Sequence, residues 1–91
     1  MGELASASVT IVNRLGLHAR PATEFVDLAS SFKSDVWVHK GDERVGGKSI
    51  MEMMMLAATQ GTNLEIKADG PDARACVEAL AKLVANGFGE D

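Results

Sequence analysis

The stretch Gly16-Leu17-His18-Ala19-Arg20-Pro21-Ala22 gathers residue types that suit phosphoryl chemistry. From Ala19 the apolar positions take up helical spacing, which puts His18 at or just before a helix start. An imidazole can be a neutral nucleophile at physiological pH. The first helical turn leaves backbone N–H groups, here those of Ala19 and Arg20, pointing outward at the positive end of the helix dipole, where an anion is welcome. Pro21 has no N–H to leave unsatisfied and a pre-set φ, so it suits that first turn. Arg20 adds a guanidinium fork that matches phosphate oxygens. Together they read as a nucleophile beside a phosphate pocket. Taken singly, a histidine at a helix start is just as well a cap or a surface residue.

A second segment holds Ser49-Ile50-Met51-Glu52, the S-x-x-E form of a capping box. In such a box the serine oxygen accepts from a free backbone N–H while the glutamate reaches back, which accounts for Ser49 without any chemistry. The helix it opens is expected to run to about Thr59, with Gly61 ending it. Its spacing turns Met53, Leu56 and Ala57 inward and leaves Ile50, Met51, Met54 and Met55 near solvent. Methionine is adaptable and suits surfaces that meet several partners, although extra core would also explain some of these side chains. His39 reads as a strand surface residue and Cys76 as a core thiol. Trp37, on the strand face opposite Val36 and Val38, has no chemical role.

The elements that must position these residues follow from periodicity. Ala7 to Val12 alternates and is β-branched, predicting a strand with Val9 and Ile11 buried, and Asn13 to Leu17 reads as a loop. Ala22, Phe25, Val26, Ala29 and Phe32 form one face of the first helix. Asp35 to Lys40 alternates, Gly41-Asp42 marks a turn, and Glu43 to Gly46 returns as a short strand. After the Ser49 helix, Asn63 to Asp69 alternates as a last strand. Gly70-Pro71-Asp72 opens a final helix, with Pro71 at its first position, and Asn86-Gly87 closes it. Its inner face is Ala73, Cys76, Val77, Leu80, Leu83 and Val84. The order β-α-β-β-α-β-α suits a two-layer α+β domain.

Size and charge narrow the function. A chain of 91 residues supports one domain, expected to span 1–91. The single cysteine, the lack of a signal-like N-terminus and the lack of a stretch near the roughly 20 apolar residues of a membrane span predict a cytoplasmic protein without membrane insertion. A net charge of −4 with scattered basic residues argues against nucleic acid as a partner.

The run Gly16 to Ala22, followed about thirty residues later by Gly47-Lys48-Ser49-Ile50-Met51 opening a short helix, resembles the two signature segments of the histidine-containing phosphocarrier (HPr) family of the bacterial phosphoenolpyruvate-dependent phosphotransferase system. The resemblance extends over nearly the whole chain. It implies an open-faced β-sandwich, a four-stranded antiparallel sheet covered on one side by three helices. It implies that enzyme I phosphorylates His18 on Nδ1, that Arg20 stabilises the phosphate, and that the group passes to an enzyme IIA. It implies no metal and no cofactor, because such transfer relies on in-line positioning by two proteins. It makes Ser49 a candidate for regulatory phosphorylation by HPr kinase/phosphorylase, and Ile50, Met51, Met54 and Met55 a partner-binding surface. A carrier that shows one small face to several partners is best served as a monomer. Glu24 and Asp27 on the first helix, Leu15, and the tail Asn86 to Asp91 look more like the nitrogen-related (NPr) branch, so sugar uptake and a regulatory phosphorelay both stay open. A regulatory binding module without phosphotransfer and a stand-alone hydrolase are further alternatives. The presence of His18 opposes the first, and the lack of a nearby acid or second nucleophile in sequence opposes the other.

Overall fold

A computed structural model describes residues 2–90; Met1 and Asp91, the ends of the expected domain, lie outside the described residues. The elements run β1 (Glu3–Thr10), α1 (Ala19–Ser30), β2 (Asp35–Lys40), β3 (Glu43–Gly46), α2 (Ile50–Met55), β4 (Asn63–Gly70) and α3 (Ala73–Ala85), followed by a tight turn at Gly87–Gly89. The strands form one antiparallel sheet in the order β1-β4-β2-β3. Leu64, Ile66 and Ala68 of β4 and Val36 and Val38 of β2 point to one face, where they meet Phe25, Ala29, Met53, Leu80 and Val84 from the helices. This is the expected α+β open-faced sandwich.

Several boundaries differ from the sequence expectation, each for a physical reason. The first strand starts at Glu3, well before Ala7, and ends at Thr10. Ala5, Ala7 and Val9 are only half-buried, and Ile11, beyond the strand, is fully buried. The Ala-Ser alternation has weak strand propensity, but β4 offers an eight-residue partner and pairs with all of it, from Glu3 with Gly70 to Thr10 with Asn63. Helix α2 stops at Met55 rather than near Thr59. Lys40 Nζ donates to the Leu56 carbonyl at 2.9 Å, and Ala57 turns left-handed at φ 50°. That turn leaves Ala57 exposed, contrary to its expected inward position, and sends Ala58 into the core instead.

The capping box forms only in part. Ser49 Oγ accepts from the Glu52 N–H at 3.2 Å, but the Glu52 carboxylate accepts from Gly46 N at 2.8 Å rather than from Ser49. The glutamate therefore ties α2 to the end of β3. At α3, Pro71 precedes the helix instead of opening it, and Asp72 is the N-cap residue. Its carboxylate caps no α3 N–H; it accepts from Lys33 N and Ser34 N at 2.9 Å each and from Ser34 Oγ at 2.6 Å, clasping the α1–β2 loop. These bonds hold the Asp72 carboxyl below the usual carboxylate range, the Ser34 hydroxyl contributing most. Leu83, expected on the inner face, is half-buried.

Candidate phosphoacceptor site

The loop before α1 is a polar turn folded against the α2–β4 connection. Gly16 is left-handed at φ 69°, and a Cβ there would lie 2.5 Å from the Ala58 carbonyl oxygen, so only glycine fits. Gly16 N donates to Asn13 O at 3.2 Å, and Leu17 N donates to that Ala58 oxygen at 2.9 Å. This fixes the chain as it enters α1 with His18 as N-cap residue in extended backbone. The first intrahelical bond runs from Ala22 N to His18 O at 3.0 Å. Pro21 has no N–H, so the N–H groups of Ala19 and Arg20 are the first-turn donors without an intrahelical acceptor.

The His18 ring is partly exposed and its Nε2 lies 2.8 Å from Glu90 Oε1. Its Nδ1 makes no hydrogen bond among the described residues. Arg20 reaches the other Glu90 oxygen, Oε2, at 2.5 Å, and its second terminal nitrogen donates to Glu24 Oε1 at 3.0 Å, one turn on. Asn13, fully buried, donates from Nδ2 both to Gly16 O at 2.7 Å and to Glu90 Oε1 at 2.8 Å. Glu90 thus gathers the histidine, the arginine and the loop asparagine on one carboxylate. Hydrogen bonds from His18, then Arg20, then Asn13 hold its pKa down to about 2, against the opposing effect of burial. Glu90, and then Glu24, in turn push the Arg20 guanidinium further above its ordinary value.

Sequence reasoning singled out His18, Ala19 and Arg20, and the fold brings them together at one helix start. It missed Glu90 and Asn13. The tail does carry a signal: Phe88 sits between two glycines, Gly87 and Gly89. The benzyl group is buried in the core at φ 55°, and the glycines at φ 64° and 74° let the chain double back so that Glu90 faces α1. A buried aromatic between glycines marks an anchored turn, and the acid beyond it then has a fixed place.

The second segment stands apart on α2. Ser49 is its half-buried N-cap residue. Met51 and Met55 are 74% and 70% exposed, Ile50 and Met54 less so, and Leu15 in the loop before α1 is also well exposed. No group of three or more His, Cys, Asp or Glu that could hold a metal ion occurs among the described residues. His39 and Trp37 lie half-buried on the uncovered sheet face, with the Arg44 guanidinium 5.4 Å from the indole centroid, and Cys76 is fully buried.

Residues 5–86 match the family model described as "PTS HPr component phosphorylation site". The chain belongs to the HPr family. It is 53% identical over 83 residues to the phosphocarrier protein HPr of Neisseria meningitidis serogroup A, covering 91% of this chain and 93% of that one. The fold is similar to the crystal structure of HPr-C-His from Thermoanaerobacter tengcongensis, with a TM-score of 0.91 at 41% identity over 96% of this chain and 98% of that one. It is also similar to an HPr dimer from the same organism, with a TM-score of 0.76 at 44% identity over 90% of this chain and 94% of that one. As an HPr protein the chain is a phosphocarrier of the phosphotransferase system, and among the described residues no helix is long and apolar enough to cross a membrane.

Proposed function

We propose that His18 Nδ1 accepts a phosphoryl group from phosphorylated enzyme I and passes it to an enzyme IIA. The observation that carries this reading is the division of labour on the imidazole. Its Nε2 is committed to Glu90, while Nδ1 stays open at a helix start with two unused backbone N–H groups. A carboxylate with a pKa of about 2 is ionised at neutral pH and can only accept, so in the neutral imidazole the favoured tautomer carries its proton on Nε2 and its lone pair on Nδ1.

In the transfer, the donor's P–N bond breaks as the Nδ1–P bond forms, and the Nε2 proton stays where it is. The imidazole then carries added positive charge, which the Glu90 carboxylate stabilises. Arg20, moving from Glu90 toward the phosphoryl oxygens, balances the new negative charge together with the Ala19 and Arg20 N–H groups. A dipole interaction of this kind is worth about 0.3–1 kcal/mol at an exposed site, enough to bias the phosphoryl group without trapping it. The exposed Ile50, Met51, Met54 and Met55 supply an apolar face on which a partner can dock. The protein acts in the cytoplasm as a monomer and needs no metal or cofactor of its own.

Ser49 is a second modification site in this reading, phosphorylated by HPr kinase/phosphorylase. Phosphate adds about −1.5 to −2 charge. Next to the methionine face, that charge weakens docking while leaving the fold in place. Labelling by that kinase and ATP should vanish in Ser49→Ala; equal labelling of the variant refutes it.

The deciding experiment is intact-mass analysis after incubation with phosphoenolpyruvate, magnesium and enzyme I from the sugar or the nitrogen branch. An acid-labile gain of one phosphoryl group that His18→Ala lacks supports the carrier mechanism, and the faster donor names the branch. The exposed Leu15 and the acidic pair Glu24 and Asp27 favour the nitrogen enzyme. No gain with either donor would sink the reading.

A further inference from the structure

Between α1 and α3, away from the methionine face, runs a groove of about 700 Å³. Leu28, Leu83 and Phe88 give it apolar walls, and Glu24 and Asp27 stand on its α1 side. No lysine or arginine is among its lining residues. Its volume is in the range of clefts that seat small ligands, so it has room for a few side chains rather than a folded domain.

We propose that this groove docks a segment of a partner protein in which an arginine stands beside apolar residues. The charge pattern selects that occupant. Glu24 gives one oxygen to Arg20 and keeps its part-exposed carboxylate on the groove's rim, so two acidic groups border the apolar walls. A guanidinium meets such carboxylates with charge-assisted bonds. Asp27, exposed one turn on, makes no ion pair among the described residues and offers the cation a second acceptor. Leucine-sized side chains flanking the cation would cover the half-buried Leu28 and Leu83. A second copy could offer its exposed Arg14-Leu15 pair, and the test separates that occupant from a partner segment.

The test is an amide NMR titration of the isotope-labelled full chain with the peptide acetyl-Leu-Arg-Leu-amide, alongside its glutamine counterpart acetyl-Leu-Gln-Leu-amide. Shifts should centre on Leu28, Leu83, Phe88 and Gly89, and the arginine peptide should bind about tenfold tighter than the glutamine one. Asp27→Lys should weaken the arginine peptide about tenfold and leave the glutamine peptide unchanged. Equal binding of the two peptides, shifts confined to Ile50–Met55, or no shift up to about 10 mM peptide would overturn the proposal. Movement of the same groove amides on concentrating the protein without peptide would also overturn it, assigning the groove to a second copy. None of these outcomes depends on phosphorylation of His18.

Discussion

Asp72 and Glu90 are both carboxylates beside a helix start, and each is fed by three donor groups, yet the donors differ in kind. Asp72 takes two backbone N–H groups and the hydroxyl of the fully buried Ser34. Those donors are neutral and part of the framework, and the clasp joins the α1–β2 loop to the start of α3. Glu90 takes the two side chains that the proposed chemistry uses, plus Asn13. Its donors can move or change charge, and it hangs on a short glycine turn. The number of hydrogen bonds does not separate a carboxylate of the framework from one at a candidate site. The kind of donor does.

Removing Asp72 tests the structural side and should have the largest effect on stability. Asp72→Ala leaves Ser34 N and Oγ buried without their acceptor, so the melting temperature should fall by roughly 10 °C while phosphoryl acceptance per folded molecule is unchanged. Thermal melts paired with the intact-mass assay check both halves. A loss of acceptance at temperatures where the variant is folded would break the contrast.

Glu90→Ala should do the reverse. Acceptance from enzyme I should slow by about tenfold, the scale of one charge-assisted hydrogen bond, with the melting temperature moving by no more than roughly 2 °C. Rapid-quench kinetics would measure it. An unchanged rate would mean that Glu90 neither sets the tautomer nor stabilises the phosphorylated ring.

Acid sharpens the comparison without mutation. Both carboxyls have folded pKa values below their unfolded ones, so each adds stability that is present above about pH 4 and lost as pH falls through the folded value. For Glu90 that window runs from about pH 4 down to about 2. Melting curves of Asp72→Asn should therefore lose less on acidification than those of wild type. An identical loss would show that the Asp72 clasp is not what titrates. The smallest effect, of opposite sign, is expected beneath the His18 loop. Ala57→Gly relieves a left-handed alanine and should raise stability by about 0.5–1 kcal/mol in denaturant melts, with no change in acceptance.

The parts of the site legible in the sequence are those held by local rules. His18, Ala19, Arg20 and Pro21 lie within one helical turn, where dipole, free N–H groups and proline geometry act over a few residues. The hairpin of β2 and β3 and the strand alternation of β4 were legible for the same reason. Glu90 was not, because its bonds to Asn13 and His18 span 77 and 72 residues and depend on how α3 delivers the tail. Asp72 read as a first-turn residue, since nothing near it in sequence tells that Ser34 lies within reach. The start of β1 was missed because alternating alanine and serine carry little apolar contrast, so pairing with β4 decides it. The early end of α2 rests on Lys40 and Ala58, neither of them part of the helix pattern.

The span between His18 and Glu90 also sets an order of events in time. A ribosome makes the proposed acceptor histidine 72 residues before the carboxylate bonded to it, and Glu90 reaches it over a turn in which Phe88 is buried. Until residue 90 has cleared the exit tunnel, a nascent chain has an imidazole free to choose either tautomer and an arginine engaged with Glu24 alone. A nick at Gly89 would return a finished molecule to that immature condition, with its sheet and helices still in place.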